Sequence, residues 1–208
     1  MRTLIIETST TACSVALIED GAVVARLHDV VGRGHAERLI PMVAALPDGG
    51  RAGRVLVDCG PGSFTGIRVG IAAARGLALG WGAEAFGYSS LSLVAAAGFA
   101  RNPGWSSLAV VLEGGHGEVF MQSFDAQLAP LSALASLRPE AALAALGARP
   151  AIGNGVRFLL SLDSAALLTE ALPCAADAVL LPAPLAALPP RPIYGRAPDA
   201  KPLPAPVS

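Results

Sequence analysis

Two short stretches of this 208-residue chain combine residue types at spacings suited to chemistry. The first is Glu7-Thr8-Ser9-Thr10-Thr11, a carboxylate closing an apolar, β-branched run and followed by hydroxyls. The second is Gly60-Pro61-Gly62-Ser63-Phe64-Thr65-Gly66. Gly-Pro-Gly makes a stiff, sharp turn, and Ser63 or Thr65 is suited to cap the next helix by accepting from a backbone N–H. The N–H groups of Ser63, Phe64 and Thr65 would then point outward at a helix N-terminus, which favours an anion. Glu7, Thr8, Ser9, Gly62, Ser63 and Thr65 are therefore the candidate phosphate- or nucleotide-binding residues. The same turn works equally as a capped strand–helix corner without a ligand. It is not the G-x-x-x-x-G-K-[ST] loop, and no lysine is near.

Other chemistries find less. His28, His35 and His116 form no H-x-x-x-H or H-E-x-x-H, so no metal site is expected. Cys13, Cys59 and Cys174 are odd in number and far apart, which fits small buried thiols rather than a disulfide or zinc framework. No G-x-S-x-G nucleophile turn occurs. Glu113 and Glu118 flank Gly115-His116-Gly117, either as a carboxylate pair or as a solvated hairpin turn.

The helix expected behind the glycine turn, residues 65–80, carries Gly66, Gly70, Ala74 and Ala78 at every fourth position. Each glycine inside a helix costs roughly 1 kcal/mol relative to alanine. Close approach of another element would offset that cost, either this chain's own sheet or a second helix, which could belong to another chain.

The elements that must position these residues follow from pattern. Residues 3–8 read as a buried strand. Residues 13–19 and 22–29 flank Asp20-Gly21, a hairpin signal because both turn positions need φ > 0. Ala36, Leu39, Val43 and Leu46 give residues 35–46 a helical stripe, with Pro41 expected to kink the helix or mark its start. A strand at 54–58, the helix at 65–80, a strand at 83–88 and a helix at 89–100 capped by Ser89 or Ser90 complete a first α/β unit. Residues 107–114 and 117–125 open a second hairpin. Beyond it the chain is rich in Ala, Leu and Pro, with a strand expected at 148–153, helices near 155–161 and 164–171, and an extended tail after Pro182. The boundary falls at 101–105, giving an N-terminal subdomain 1–102 and a smaller C-terminal subdomain 103–208. The order suggests a duplicated ribonuclease-H-like, actin-like α/β fold with the second copy reduced.

The composition is 53% hydrophobic and 15% charged, with net charge −1 and 5% aromatics. Without a Lys/Arg cluster, the chain lacks the basic, aromatic stripe of a protein that grips RNA alone. A role within an RNA-acting complex stays open. No run of eighteen apolar residues is present, so no membrane span is expected. The N-terminus reads as a first strand rather than a signal peptide, so a cytoplasmic location is expected.

Several stretches together resemble the bacterial TsaB (YeaZ) family: LIIETSTTACSVAL, HAERLIPMV, GPGSFTGIRVGIAAARGLALG, GYSSLSLVA, EGGHGEVFM and PIYGRAPDAKP, in that order. The resemblance implies an actin-like ATPase fold, in which the ETSTTACS turn would be a phosphate cradle. It implies a non-catalytic scaffold subunit in the synthesis of N6-threonylcarbamoyladenosine at position 37 of tRNA. The implied partners are the catalytic paralogue TsaD and the ATPase TsaE, with a homodimer when alone and tRNA met only through the complex. No cofactor is implied for this chain itself, with ATP or ADP shared at the complex interface. The paralogue's metal-binding H-x-x-x-H would fall on Ser90 and Val94, which cannot replace imidazole. The partner-binding surface implied by the resemblance is His35, Arg38, Leu39 and Met42 on one helix with Gly66, Val69, Gly70, Ala73 and Ala74 on the other. The rival readings are an independent actin-fold phosphotransferase or ATPase, resting on Glu7, Asp58 and Gly153-Asn154-Gly155, and a glycoprotease-like peptidase. The sequence departs from the family in having Glu7 where Asp is usual and in its Ala/Pro-rich 126–190 region.

Overall fold

A computed structural model describes residues 1–196. The chain opens with β1 (Arg2–Glu7), β2 (Ala12–Glu19) and β3 (Ala22–Val30), then α1 (His35–Ala44), β4 (Arg54–Asp58), α2 (Phe64–Trp81), β5 (Glu84–Tyr88) and α3 (Ser90–Arg101). Asp20 and Gly21 both take positive φ, 49° and 81°, as the two-residue hairpin between β2 and β3 demands. The sheet order is β3-β2-β1-β4-β5, with β1 antiparallel to β2 and parallel to β4.

The second half repeats this plan. It comprises β6 (Ser107–Gly115), β7 (Glu118–Asp125), β8 (Ala135–Leu137), α4 (Pro139–Leu146), β9 (Ala151–Ile152), α5 (Val156–Leu160) and β10 (Leu168–Thr169). Its sheet runs β8-β7-β6-β9-β10, with the same antiparallel and parallel pairings at the same places. Two mixed sheets of identical strand order establish the duplicated, actin-like α/β fold. The reduction is one of length: β9 and β10 have two residues each, yet no strand of the order is missing. Leu168-Thr169 is the fifth strand of that order, so the helix expected at 164–171 is not formed. The alanine-rich stretch has helical propensity, but parallel pairing with β9 fixes Leu168-Thr169 as a strand.

Three apolar clusters give five layers. Leu4, Ile6, Val15 and Val57 on the outer face of the first sheet pack under α1 and α2. Ile5, Leu56, Leu108, Val110 and Ile152, from the inner faces of both sheets, close over Leu91, Val94 and Ala95 of α3. Val111, Met121 and Ala151 meet Ala142, Leu146 and Leu159 of α4 and α5. Apolar burial of this kind contributes about 25 cal/mol per Å² and holds the halves together.

α3 ends at Arg101 and β6 begins at Ser107, but the chain beyond β10 does not stay with the second sheet. The 3₁₀ turn Ala175–Leu180 packs into the shared core. Farther on, Leu188 and Gly87 exchange both backbone hydrogen bonds, and the Ile193 N–H donates to the Cys59 carbonyl at 2.7 Å. Residues 187–193 thus form a strap along β5 and the end of β4. A 3₁₀ turn at Ala183–Ala186 interrupts the extended tail expected after Pro182, and the tail's last twelve residues lie outside the described ones.

Candidate functional site: the cleft above the strand ends

The ends of β1 and β4 bring the two chemistry-bearing turns together. A Cβ on Gly62 would stand 2.1 Å from the Ser9 carbonyl oxygen, and the Ser63 N–H donates to that same oxygen at 2.6 Å. Gly62 is therefore required by close backbone approach. The Ser63 N–H, expected to face outward, is spent on Ser9. Ser63 does cap α2: its hydroxyl accepts from the Gly66 N–H at 3.2 Å. Ser89 holds the N-cap position of α3 without a side-chain bond, while the Ser90 hydroxyl lies 2.7 Å from Asp58 Oδ1 and 3.1 Å from Ser9 Oγ.

Glu7 is fully buried and surrounded by donors. Its Oε1 accepts from the Ser9 N–H at 2.8 Å and the Ser9 hydroxyl at 2.7 Å, and its Oε2 accepts from the Tyr88 hydroxyl at 3.2 Å. Thr8 is likewise buried and donates to the Gly66 carbonyl at 2.8 Å. Glu7 and Thr8 therefore leave the set of residues able to meet a ligand. Of the six candidates, Ser63 and Thr65 are exposed, Gly62 is half-buried, and Ser9 reaches the surface of the cleft only marginally.

That cleft, about 810 Å³, runs between the halves. Ser9, Thr10, Thr11, Gly62 and Ser63 form one wall, and Gly114, Gly115, His116, Phe120 and Asn154 the other. Asn154 is 3% exposed, and its Oδ1 accepts from the Glu113 N–H at 3.1 Å. Glu113 itself pairs with Arg157 at 2.7 Å, and Glu118 with Ser136 and Arg196, so the hairpin glutamates serve separate ion pairs and not one carboxylate dyad. Sequence reasoning missed the rim of the cleft. There the Arg68 guanidinium stacks 3.2 Å from the Phe64 ring centroid and donates to the Tyr194 hydroxyl at 2.8 Å. Phe64-x-x-x-Arg68 has the i, i+4 spacing that predicts this pair, but nothing local foretells Tyr194.

The partner-binding set divides sharply. His35, Leu39 and Met42 are buried beneath α1, with His35 Nε2 donating to the Ala12 carbonyl at 3.1 Å. The buried stripe of α1 is thus His35, Leu39, Met42 and Val43, continued by Leu46 just beyond the helix, and Ala36 is exposed. Gly66, Gly70 and Ala74 face the chain's own sheet: a Cβ on Gly70 would stand 2.4 Å from Thr8 Oγ1 and 3.4 Å from Val57 Cγ2. These six are core residues, because the helices turn their apolar or smallest faces inward. Arg38 is exposed, and Val69 and Ala73 are half-buried. Around them lie Ile40 on α1 and Ala72, Gly76 and Gly80 on α2, all exposed.

Ser90 and Val94, where the paralogue's histidine pair would fall, are both buried in α3, and Val94 belongs to the shared core. Among the described residues no three His, Cys, Asp or Glu side chains converge on a metal position. No described helix is long and apolar enough to cross a membrane.

The family model of TsaD, tRNA N6-adenosine threonylcarbamoyltransferase, matches residues 28–136. An uncharacterized protein of Mycobacterium tuberculosis (strain ATCC 25618 / H37Rv) is 32% identical over 219 residues, covering 96% of this chain and 94% of its own. YeaZ from Pseudomonas aeruginosa superposes with a TM-score of 0.77 at 28% identity, over 93% of this chain and 99% of its own. The tRNA threonylcarbamoyladenosine biosynthesis protein TsaB of Escherichia coli (strain K12) is 38% identical over 131 residues, 60% of this chain and 55% of its own. The chain belongs to the TsaB/YeaZ family. Its matches to the curated TsaB proteins of Escherichia coli and Haemophilus influenzae span about half of their length, 55% and 42%. The TsaD match covers the region from β3 through β8. It thus reaches across the junction of the two halves.

Proposed function

We propose that this chain is a non-catalytic scaffold subunit in the biosynthesis of tRNA N6-threonylcarbamoyladenosine, and that it supports the transferase TsaD. Membership in the TsaB/YeaZ family, through relatives so named, carries the biosynthetic role. The scaffold role is supported by positive features of the strand ends. Glu7 is saturated by internal donors, and the Ser90 and Val94 positions are committed to packing. The chemistry then belongs to the partner. TsaE joins the assembly, a homodimer forms in the partner's absence, tRNA is met through the complex in the cytoplasm, and any ATP or ADP sits where subunits meet.

The partner face is the outward side of α1 and α2: Arg38, Ile40, Val69, Ala72, Ala73, Gly76 and Gly80. Its small residues allow a helix to approach closely, and Arg38, held by Asp29 at 2.7 Å, marks its polar edge. The test is reconstitution of tRNA modification with the host's TsaD and TsaE, with and without this chain, alongside co-elution. The modification should require the chain and TsaD should co-elute with it. Full modification in its absence overturns the scaffold reading, and steady ATP hydrolysis by the purified chain alone would favour an independent enzyme.

A further inference from the structure

We propose that Glu7 and Asp58 share a single proton, and that this proton locks the hydroxyl turn to the glycine turn. The two residues close adjacent parallel strands, one step beyond the Ile6–Val57 register pair, and both are fully buried. Their oxygens are not treated alike. Both Glu7 oxygens accept from donors, Ser9 at 2.8 and 2.7 Å and Tyr88 at 3.2 Å. Asp58 Oδ1 accepts from the Gly60 N–H at 2.5 Å and the Ser90 hydroxyl at 2.7 Å. Asp58 Oδ2 is sealed from solvent with no donor.

An ionised oxygen left bare at that depth is costly, and two buried carboxylates side by side are worse. A proton on Oδ2 removes both problems at once. The protonated carboxyl becomes a donor, and its neighbour Glu7 is an acceptor. The two carboxyls lie close enough for Glu7 to act on Asp58, and no other group donates to Oδ2. Burial first, and the charge of Glu7 second, push the Asp58 carboxyl well above the usual carboxylate range.

Among the described residues, no cation is among the groups that shift Asp58. From β5 comes the Tyr88 hydroxyl, pushed up by burial and by both acids and so retained as a neutral donor. From the end of β4 comes the Cys59 thiol, pushed up to about 12, and from β2 the Cys13 thiol, pushed up to about 11. From α3 comes only Ser90, which is uncharged. Arg75 on α2 acts on Cys59, and Arg38 on α1 acts on Cys13; neither is among the groups that shift Asp58.

The pair stands where three segments meet. Through Ser9 it holds the turn after β1, through Gly60 the turn before α2, and through Ser90 the start of α3. Losing the proton sets the two charges against each other beneath the cleft floor. Because the native acid holds its proton more tightly than the unfolded chain does, stability falls as pH rises from the ordinary aspartate range toward the native value. The substitution Asp58→Asn would put a permanent amide donor where the protonated oxygen stands, so it should abolish that slope.

The test uses the full chain and is independent of the functional reading. Infrared spectra at about pH 7 should show the C=O stretch of a buried carboxylic acid that vanishes in Asp58→Asn. Thermal melts between about pH 5 and pH 9 should show the wild type losing several degrees relative to the variant as pH rises. A folded wild type without the carboxylic acid band overturns the shared proton, whatever becomes of the variant. A band that persists in Asp58→Asn, or a melting difference that is constant across pH, overturns it as well.

Discussion

Gly66 and Thr8 hold each other by backbone contact and hydrogen bond together. The Thr8 hydroxyl donates to the Gly66 carbonyl at 2.8 Å, and a Cβ on Gly66 would stand 2.0 Å from the Thr8 carbonyl oxygen. The glycine of α2 therefore exists for this chain's own sheet. Its cost in helix propensity is offset by seating α2 directly on the end of β1, which places the Ser63 cap beside Ser9.

Gly66→Ala tests that contact. In an unconstrained helix alanine would gain about 1 kcal/mol. Here the methyl meets backbone, which cannot rotate away, so the net effect should be a loss of about 1–3 kcal/mol by overpacking. Chemical denaturation measures it. An unchanged or raised stability would show that α2 does not sit this close to β1.

Tyr88→Phe probes the same corner from below. The fully buried hydroxyl is shared between the Ile6 carbonyl at 3.1 Å and Glu7 Oε2 at 3.2 Å. Removing it takes away one of the donors that hold the buried Glu7 carboxylate, at a cost of about 1–3 kcal/mol. A denaturation midpoint equal to wild type would mean that water reaches Glu7.

The cysteines give a prediction with a pH sign. Burial raises the Cys59 and Cys13 thiols to about 12 and about 11, so almost no thiolate exists at neutral pH. Cys174 is half-exposed. A thiol reagent near neutral pH should label one cysteine quickly and three after denaturation. Rapid labelling of Cys13 or Cys59 in the native protein would contradict the burial.

How much of this was legible in the sequence depends on how local the cause is. The Asp20-Gly21 hairpin and the cap of α2 depend on a few neighbouring residues; the hairpin is legible directly, and the cap as Ser63 or Thr65. The reduction of the second half and the strand holding Ala151-Ile152 are legible too, but Leu168-Thr169 is not, because two residues are too short to show a period of two. The place of Leu168-Thr169 comes from pairing with β9, which itself pairs with β6, a non-local fact. Glu7 and Asp58 were visible as two strand-end acids, yet their burial side by side follows only from β1 and β4 being parallel neighbours. The direction of the Gly66-Gly70-Ala74 stripe was the hardest to read. Small residues mark a close approach without saying by what, and Thr8 and Val57 answer that only in three dimensions.

Gly76 separates folding from association on the same helix. It lies on the face opposite the buried stripe, and a Cβ there would meet nothing within 4 Å. Gly76→Leu should therefore leave the monomer folded and raise its stability by roughly 0.5–1 kcal/mol through helix propensity alone. On the proposed partner face, beside Val69, Ala72 and Ala73, the same leucine holds an approaching helix away. Homodimer formation and TsaD co-elution should then both be lost while the melting temperature holds or rises. The contrast with Gly66→Ala is the useful part: one glycine should fail in folding and the other only in assembly. Light scattering and a TsaD pull-down, run beside thermal melts of both variants, read the two outcomes separately. If Gly76→Leu still dimerises and still captures TsaD, the outward face of α2 is not the docking surface, and the scaffold must grip its partner elsewhere.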